Sequence, residues 1–595
     1  MKDNKYKWRG AALCLALSLM AASCSMSDDM ECPPEGGGTP GTGSAFIQLS
    51  FGMADAQGTR ANPNGGETGD GHEAGQTNEN SVSTAVAFLF DANVSVNGAA
   101  DTRVTPVYFP SVNPTAEGGT DIDAVYETIP VQTTVENGDY NVIVVANPGD
   151  NRWWEQAENQ TLGAVRDHIQ QEAWKEAESS DGTISYSDFL MSSADEPTEK
   201  LTINNNSESE PATVSVNVER MAARVDYLAK NEYDCEDPMY EGATIEITGA
   251  TIVNRLTAGS YLLKRVADDV NSQTPKYLGR EKATGTDMLA TNYVLDPWTA
   301  LKTQQNLTGT PFTVNGQNVE ASGLYDAETY IPTRSDNPED WADYCKAGVA
   351  ATADDYLRVG YALENTTDRL STSLNYNTGI VFKAQFHPVG VTNYNDGQTF
   401  FTYNGVIYPM LTDMMGQLNG QEYFSTYVGK KIAALTSWDD LKNFAASITN
   451  DPTGYSTYLE DYADTHSAET FNTADELKWE YYLSYKLGVF ENSQDGPEIN
   501  QNDINTRAVL YESSGELLRT YYNGQCYYIW WLRHSNDGND ETNGVMEYAI
   551  VRNNIYKVRV NSIYSLGGDI PDNEQLDAHV YVNKWSMLAP EVLPM

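Results

Sequence analysis

A series of short apolar runs separated by turn residues most constrains what this chain can fold into. The first of them, AFIQLSF, places Ala45, Ile47, Leu49 and Phe51 on one face and the intervening residues on the other. A period of two is typical of a half-buried β-strand. Similar runs follow, among them STAVAFLFD, YNVIVVANP and ATVSVNVER, with Gly, Asn and Pro between them. Short strands joined by such turns predict β-sandwich domains and a mainly β fold.

At 595 residues, the chain is longer than a single domain with one hydrophobic core usually is. We therefore predict two sandwich domains in series, 61–221 and 222–595. The first is expected to contain one helix at 164–177, AVRDHIQQEAWKEA.

The second predicted domain carries a stretch that does not follow the strand pattern. Residues from about 405 to 500 are expected to form an α-helical insertion. Ser437 with Asp440, and Thr473 with Glu476, resemble N-capping pairs that open two helices.

Charge and cysteine content exclude several classes of protein. The chain has 37 basic and 84 acidic residues and a formal charge of -47, so nucleic acid is excluded as a natural partner. Cys14, Cys24 and Cys32 lie in an N-terminal segment that is expected to be removed or modified, which leaves Cys235, Cys345 and Cys526, far apart and without a CxxC pair. This pattern favours isolated core thiols over a disulfide framework or a zinc site.

The N-terminus has the pattern of an export signal. Basic residues precede an apolar stretch at 11–22 that is too short to span a bilayer comfortably. The stretch ends in MAASC, which resembles a bacterial lipoprotein box. We predict a signal peptide at 1–23, lipidation of Cys24, and a Pro- and Gly-rich tether at 24–44. The alternative is an ordinary secretory signal in which Cys24 is incidental.

A long polar loop follows the first predicted strand. The sequence ADAQGTRANPNGGETGDGHEAGQTNENS is rich in Gly, Asn, Thr and acidic residues and is expected to stay unordered, because it buries little apolar surface. Arg60 is its only arginine. Such a loop is open to proteases.

Motifs that carry catalysis or bind cofactors are missing from the sequence. There is no HExxH, GxSxG or GxxxxGKS/T, and no GxGxxG that follows a predicted strand, so we predict neither an enzyme nor a cofactor or metal site. Aromatic pairs such as Trp153–Trp154 and Trp530–Trp531 leave glycan binding open, although core packing is the simpler interpretation. The loop at 535–544 lacks the ligand spacing of a helix–loop–helix calcium site.

One stretch of sequence resembles a known family. Residues 521–571, with the aromatic strand ending in Arg533–His534 and the phrase MEYAIVRNNIYKV, are similar to the C-terminal domain of the Bacteroidales fimbrillins. The likeness is greatest to the shaft subunits of the short fimbriae. The final HVYVNKWSML and the junction VNVERMAARVDY also resemble the family.

The resemblance implies two transthyretin-like β-sandwich domains and a mechanism of assembly. In that family a surface lipoprotein is cut by an arginine-specific protease, its first strand leaves, and a C-terminal segment of the next subunit fills the groove. Carried onto this chain, the propeptide is 45–60 and the cut joins Arg60 and Ala61. The strand that leaves contains Ala45, Ile47, Leu49 and Phe51. The donor segment, at about 576–595, is expected to use Ala578, Val580, Val582, Trp585 and Leu588; its resident and donated parts are left open.

The resemblance also implies partners. These are copies of the chain itself, accessory and anchor fimbrial subunits, the arginine-specific protease, the outer membrane through the lipid before maturation, and host or microbial surface receptors. The implied location is a fimbria on the cell surface. A surface glycan-binding lipoprotein, or an accessory or tip subunit of the fimbria, are the alternatives.

Overall fold

The computed structural model describes most of the predicted strands. Its described residues are 45–53, 72–115, 125–264, 313–314, 317–318, 326–328, 344–365, 377–409, 429–447, 455–472, 477, 490–493, 496–499, 518–534, 547–571 and 576–586, with gaps at 97, 171, 179, 181–183, 195, 198, 259, 352–354, 404 and 570. All of them fall within one unit, Gly43–Met595.

The N-terminal part consists mainly of strands. They are β1 Ala45–Met53, β2 His72–Ala74, β3 Ala85–Asp91, β4 Thr105–Phe109, β5 Val112–Thr115, β6 Val125–Thr128, β7 Val131–Thr133, β8 Gly138–Ala146, β9 Ile169–Gln170, β10 Lys175–Glu178, β11 Ile184–Ser187, β12 Met191–Ser193, β13 Leu201–Ile203 and β14 Ala212–Arg220.

Ten of these strands form one sheet in the order β4-β3-β8-β12-β14-β1-β6-β5, with β13 beside β8 and β7 beside β1. Strands β3 and β8 are buried on both faces, which explains their nearly continuous apolar sequences. Strand β14 alternates instead, with Val214, Val216 and Val218 buried as its sequence predicts. The inward side chains of β1, β3, β8 and β14 share one hydrophobic core.

The remaining strands follow after residue 221. They are β15 Ala222–Leu228, β16 Tyr233–Asp234, β17 Thr244–Val253, β18 Arg255–Ala258, β19 Ser260–Tyr261, β20 Thr313–Val314, β21 Gln317–Asn318, β22 Asp326–Glu328, β23 Val349–Ala350, β24 Leu357–Leu363, β25 Gly379–His387, β26 Phe400–Tyr403, β27 Val406–Tyr408, β28 Phe490–Ser493, β29 Gly496–Ile499, β30 Leu518–Tyr521, β31 Gln525–Trp531, β32 Asn554–Ile563 and β33 Leu576–Ser586.

Two larger sheets organise this part of the chain. One has the order β2-β33-β32-β15-β24-β23 and the other the order β16-β17-β25-β31. Side chains from both sheets meet in a common apolar core. The predicted mainly β fold with two sandwich regions is confirmed. The chain leaves the ten-stranded sheet at Arg220, where β14 ends. It enters the sheet that contains β15 at Ala222, where that strand begins.

The α-helices among the described residues are α1 Thr77–Asn80, α2 Leu162–Asp167, α3 Gly429–Ala433, α4 Trp438–Ser447 and α5 Tyr455–His466. Helices α3, α4 and α5 lie within the range predicted to be a helical insertion, but strands β27, β28 and β29 lie near the two ends of that range, so the prediction is wrong there. The Ser437 hydroxyl caps α4, because it accepts a hydrogen bond from the Asp440 N–H at 3.2 Å. Thr473 and Glu476 lie outside the described residues.

The single helix predicted at 164–177 is wrong beyond Asp167, where α2 ends. The His168 ring stacks on Trp153 with centroids 3.8 Å apart. Ile169 and Gln170 then pair with β19 as a short strand. These tertiary contacts outweigh a weak local helix preference.

The cysteine prediction is confirmed for the three thiols in the folded part of the chain. Cys235, Cys345 and Cys526 are buried and form no disulfide. Burial raises the pKa of Cys345 to about 12, so this thiol stays protonated and unreactive. No helix in the described part of the chain is long and apolar enough to cross a membrane.

Candidate functional site

Strand β1 occupies the middle of the ten-stranded sheet and is paired along both edges. On one side it runs parallel to β14, in register from Ile47 opposite Ala212 to Met53 opposite Val218. On the other side it is antiparallel to β6 and β7. Because both edges are used, removal of β1 would expose two rows of backbone donors and acceptors.

The inward face of β1 fills an apolar groove. Ala45, Ile47, Leu49 and Phe51 are each at most 1% exposed, as the alternating sequence predicts. Burial of a large apolar side chain is worth about 1.5–3 kcal/mol. The three larger side chains together then contribute on the order of 6 kcal/mol, a large share of a typical folding free energy.

Polar contacts fix the register of β1 in the groove. The Thr128 hydroxyl accepts a hydrogen bond from the Leu49 N–H at 2.9 Å, and the Gln48 side-chain amide donates to the Thr128 carbonyl at 3.1 Å. The Phe51 ring stacks on Tyr126, with centroids 5.8 Å apart and planes 14° apart. A strand that replaces β1 therefore meets a groove with defined pockets and bonding positions.

The residues predicted to mature the protein lie outside the described part of the chain. These are Cys24, Arg60 and Ala61. Strand β1 ends at Met53 and the chain is next described at His72, so the predicted cut falls between β1 and β2.

Four of the five predicted donor residues lie in β33. This strand pairs antiparallel with β32 from Leu576 to Lys584. Ala578, Val580 and Val582 are buried in the core between the two C-terminal sheets, with at most 7% exposure. Trp585 lies in β33 opposite Glu73, and Leu588 lies beyond the described residues. In this state the first three predicted donor residues form a resident strand.

The expectation that the whole loop after β1 is unordered is wrong for residues 72–80. This segment forms β2 and α1, and its Glu73 and Glu79 are buried. The prediction rested on the low apolar content of the segment. It failed because ion pairs, and not apolar contacts, hold the segment in place.

The ion pairs centre on Arg224 of β15, which is fully buried. Its guanidinium contacts the carboxylates of Glu73 at 2.5 Å, Glu79 at 3.0 Å and Asp226 at 2.8 Å. Lys557 of β32 pairs with Glu73 at 2.6 Å. The signal available in the sequence was the presence of Arg and Asp inside the apolar run MAARVDY, since buried charges require partners.

The charges in this cluster perturb one another. Burial tends to raise the pKa of Glu73, but the hydrogen bond from Lys557 and the charge of Arg224 hold it below its usual value. Burial raises the pKa of Asp226 to about 6, against the lowering effect of Arg224. Burial lowers the pKa of Arg220 to about 10. Each of these shifts results from the burial of a charged group close to other charged groups.

The aromatic pairs proposed as a glycan platform are mostly in the core. Trp153 and Trp154 are 8% and 2% exposed. Trp530 and Trp531 of β31 are half-buried; a Cβ on Gly379 would come within 2.7 Å of the Trp531 ring, so that ring packs closely over the strand beside it. Residues 535–544 lie outside the described ranges. Among the residues that are described, no group of three His, Cys, Asp or Glu side chains could hold a metal ion.

Comparison with known proteins supports a fimbrial relationship for the C-terminal part of the chain. Residues 519–589 match the family described as "Major fimbrial subunit protein type IV, Fimbrillin, C-terminal". This match covers β30 to β33 and confirms the resemblance to the fimbrillins that the sequence predicted. A search of curated proteins found no match.

Three solved structures align with most of the chain. A candidate cell adhesion protein from Parabacteroides distasonis aligns over 91% of this chain and 100% of its own, with 11% identity and a TM-score of 0.35. A fimbrilin from Porphyromonas gingivalis aligns over 92% and 99%, with 11% identity and a TM-score of 0.31. A tip fimbrial protein from the same organism aligns over 91% and 100%, with 9% identity and a TM-score of 0.28.

Proposed function

We propose that this chain is a structural subunit of a cell-surface fimbria that polymerises by strand exchange and supports adhesion. The observation that carries the proposal is the position of β1. It is a central, doubly paired and buried strand, and the loop behind it contains Arg60 as its only arginine. A cut after Arg60 would convert β1 from part of the chain into a bound peptide that can be replaced.

The proposal includes an order of events. The precursor reaches the outer membrane as a lipoprotein anchored through Cys24. An arginine-specific protease cuts between Arg60 and Ala61, and the fragment that contains β1 departs with the lipid. The groove between β14 on one side and β6 and β7 on the other then accepts a strand from a second copy of the chain.

Strand β33 is the better donor within 576–595. It has no proline, and Ala578, Val580 and Val582 repeat the small-then-branched order of Ala45, Ile47 and Leu49. The following sequence, MLAPEVLPM, has two prolines, and a proline cannot donate to the ladder of a central strand. Strand β33 is flanked by β32 over its length but by the three-residue β2 on its other side, so it can leave by breaking one long edge.

A reversible cross-link between β32 and β33 tests this proposal. Arg559 and His579 are directly paired, so cysteines at both positions lie within reach of a disulfide. We expect cleaved Arg559→Cys/His579→Cys protein to remain monomeric when oxidised and to form polymers after addition of a reductant. The native thiols Cys235, Cys345 and Cys526 are buried and should not interfere.

Each single-cysteine variant is the matched control and should polymerise under both conditions. Polymers of the oxidised double variant, seen by size-exclusion chromatography and electron microscopy, would exclude β33 as the donor. If neither oxidised nor reduced protein polymerises while the single variants do, the substitutions themselves are at fault, and a cross-link between Ser562→Cys and Asp577→Cys, another directly opposite pair, replaces this one.

A further inference from the structure

The segment His72–Asn80 connects the loop after β1 to the body of the protein and contacts both sheets. Strand β2 pairs parallel to the last three residues of β33, with His72 opposite Lys584 and Ala74 opposite Ser586. Helix α1 follows directly, closed by a capping box in which the Gln76 N–H donates to the Glu79 carboxylate at 2.7 Å. This segment is called the clamp below.

Two carboxylates fasten the clamp to the C-terminal sandwich. Glu73 is held by Arg224 of β15 and Lys557 of β32. Glu79 is held by Arg224, by the hydroxyl of Tyr361 of β24, and by Arg358 at 3.6 Å. Three adjacent strands of one sheet therefore hold the clamp through charge-assisted bonds, which are stronger than neutral ones.

Burial makes these bonds difficult to replace with water. Arg224, Asp226 and Glu79 are fully buried, and Glu73 is 7% exposed. Of the three carboxylates that contact Arg224 in the described structure, Glu73 and Glu79 belong to the clamp. If the clamp were withdrawn, the buried guanidinium of Arg224 would lose the carboxylates of both Glu73 and Glu79. Because an unpaired buried charge is costly, the clamp stays in place when the chain is cut on its N-terminal side.

The clamp also contacts the groove of β1. The Tyr126 ring stacks on Phe51, and its hydroxyl donates a hydrogen bond to the carbonyl of Asn80 at 2.5 Å. The Asn80 side chain in turn accepts a bond from Arg220, whose Nε donates to the Glu79 carbonyl at 3.1 Å. One side chain, Tyr126, therefore contacts both the leaving strand and the end of the clamp.

We propose that the clamp pins the carboxyl-terminal end of β33 in its own sandwich, and that departure of β1 loosens it through Tyr126. The retained strand cannot be donated while β1 is in place, so exchange starts only after maturation. This proposal rests on the proposed function for its purpose, but the retention of β33 by Glu73 is a property of the uncleaved monomer and can be tested there.

Hydrogen–deuterium exchange of the uncleaved full chain tests the retention. Glu73→Gln keeps the shape of the side chain and removes its charge. We expect exchange in peptides covering 576–586 to accelerate at least tenfold, while peptides from β17 and β25 keep their wild-type rates. Glu136→Gln, at an exposed position of the N-terminal part, is the control and should match the wild type. Unchanged protection of 576–586, or equal acceleration in every strand, would overturn the retention.

Two further variants keep the test informative if Glu73→Gln does not fold. Glu73→Gln combined with Lys557→Gln removes the whole ion pair and leaves two neutral partners. Tyr126→Phe keeps the ring on Phe51 and removes only the hydroxyl bond to Asn80; we expect about threefold faster exchange of 576–586. Wild-type rates for Tyr126→Phe would overturn the route through Tyr126.

The coupling is tested on wild-type protein before and after cleavage. Once β1 has dissociated, 576–586 should exchange faster in the protein that is still monomeric, isolated by size-exclusion chromatography, and an excess of a synthetic peptide of residues 45–53 should restore protection. Failure of both effects overturns the coupling, even if fibres form normally. Absence of fibres with a normal exchange response would instead count against the proposed function and leave the clamp standing.

Discussion

The retention of β1 after cleavage is the most direct quantity to predict from the structure. Phe51 is 1% exposed and stacks on Tyr126. Truncation of a buried phenylalanine to alanine costs about 3–5 kcal/mol. Because each 1.4 kcal/mol is tenfold in an equilibrium constant, Phe51→Ala should weaken the binding of the cleaved strand by a factor of about 10² to 4 × 10³.

The assay uses a soluble form, Cys24→Ser, treated with an arginine-specific protease. Samples taken over time are passed through a size-exclusion column under native conditions, and the fragment that ends at Arg60 is quantified by mass spectrometry. We expect the fragment to leave Phe51→Ala protein far sooner than wild-type protein. Polymer should appear correspondingly sooner.

Ser50→Ala is the matched control, because Ser50 lies on the same strand with its side chain on the other face and only half-buried. The Ser50→Ala protein should release the fragment that ends at Arg60 at a rate within a few-fold of the wild-type rate. Equal release from Phe51→Ala and wild-type protein would refute the idea that the Phe51 pocket holds the strand, and with it the energetic reasoning about the groove.

Three other predictions concern maturation, acid stability and the alternative function. Arg60→Ala protein should stay lipid-anchored and monomeric, with a start before Ala61 by N-terminal sequencing, whereas fibres from this variant would show that cleavage there is not the trigger. Burial lowers the pKa of His168 from 6.5 to about 4, so only the unfolded chain takes up this proton as pH falls through that window. The free energy of unfolding should drop by about 3 kcal/mol more in wild type than in His168→Asn between pH 7 and 4, measured by urea denaturation; equal pH dependence would contradict it. Retention on a polysaccharide gel is expected to be absent, and retention that is lost in Trp530→Ala/Trp531→Ala protein would favour the glycan-binding alternative.

Local pattern explains why β1 and β33 could be predicted. Alternation places Ala45, Ile47 and Leu49 on one face, and likewise Val580 and Val582, wherever the strand lies in a sheet. The same rule does not say which strands are neighbours. The sequence therefore left open which part of 576–595 is resident, and only the pairing of β33 with β32 answered this for the described residues.

The helix predicted at 164–177 failed for a related reason. The segment has residues that tolerate a helix, and a helix preference is worth only tenths of a kcal/mol per residue, roughly. Trp153 and β19 supply a stacked ring and a strand partner. Contacts made across the fold then decided the conformation of His168–Gln170.

The sequence by itself determined the strand-rich character of the chain and the alternation of its first and last strands. It also determined the resemblance of its C-terminal part to the fimbrillins. All three depend on residues that are close together in the sequence. The tertiary structure decided that residues 72–80 are ordered. Glu73 pairs with Lys557, which is 484 positions away in the sequence. A pattern of neighbouring residues cannot predict a contact between residues so far apart. Hydrophobic alternation acts within a strand, whereas a buried ion pair exists only after distant strands have been brought together.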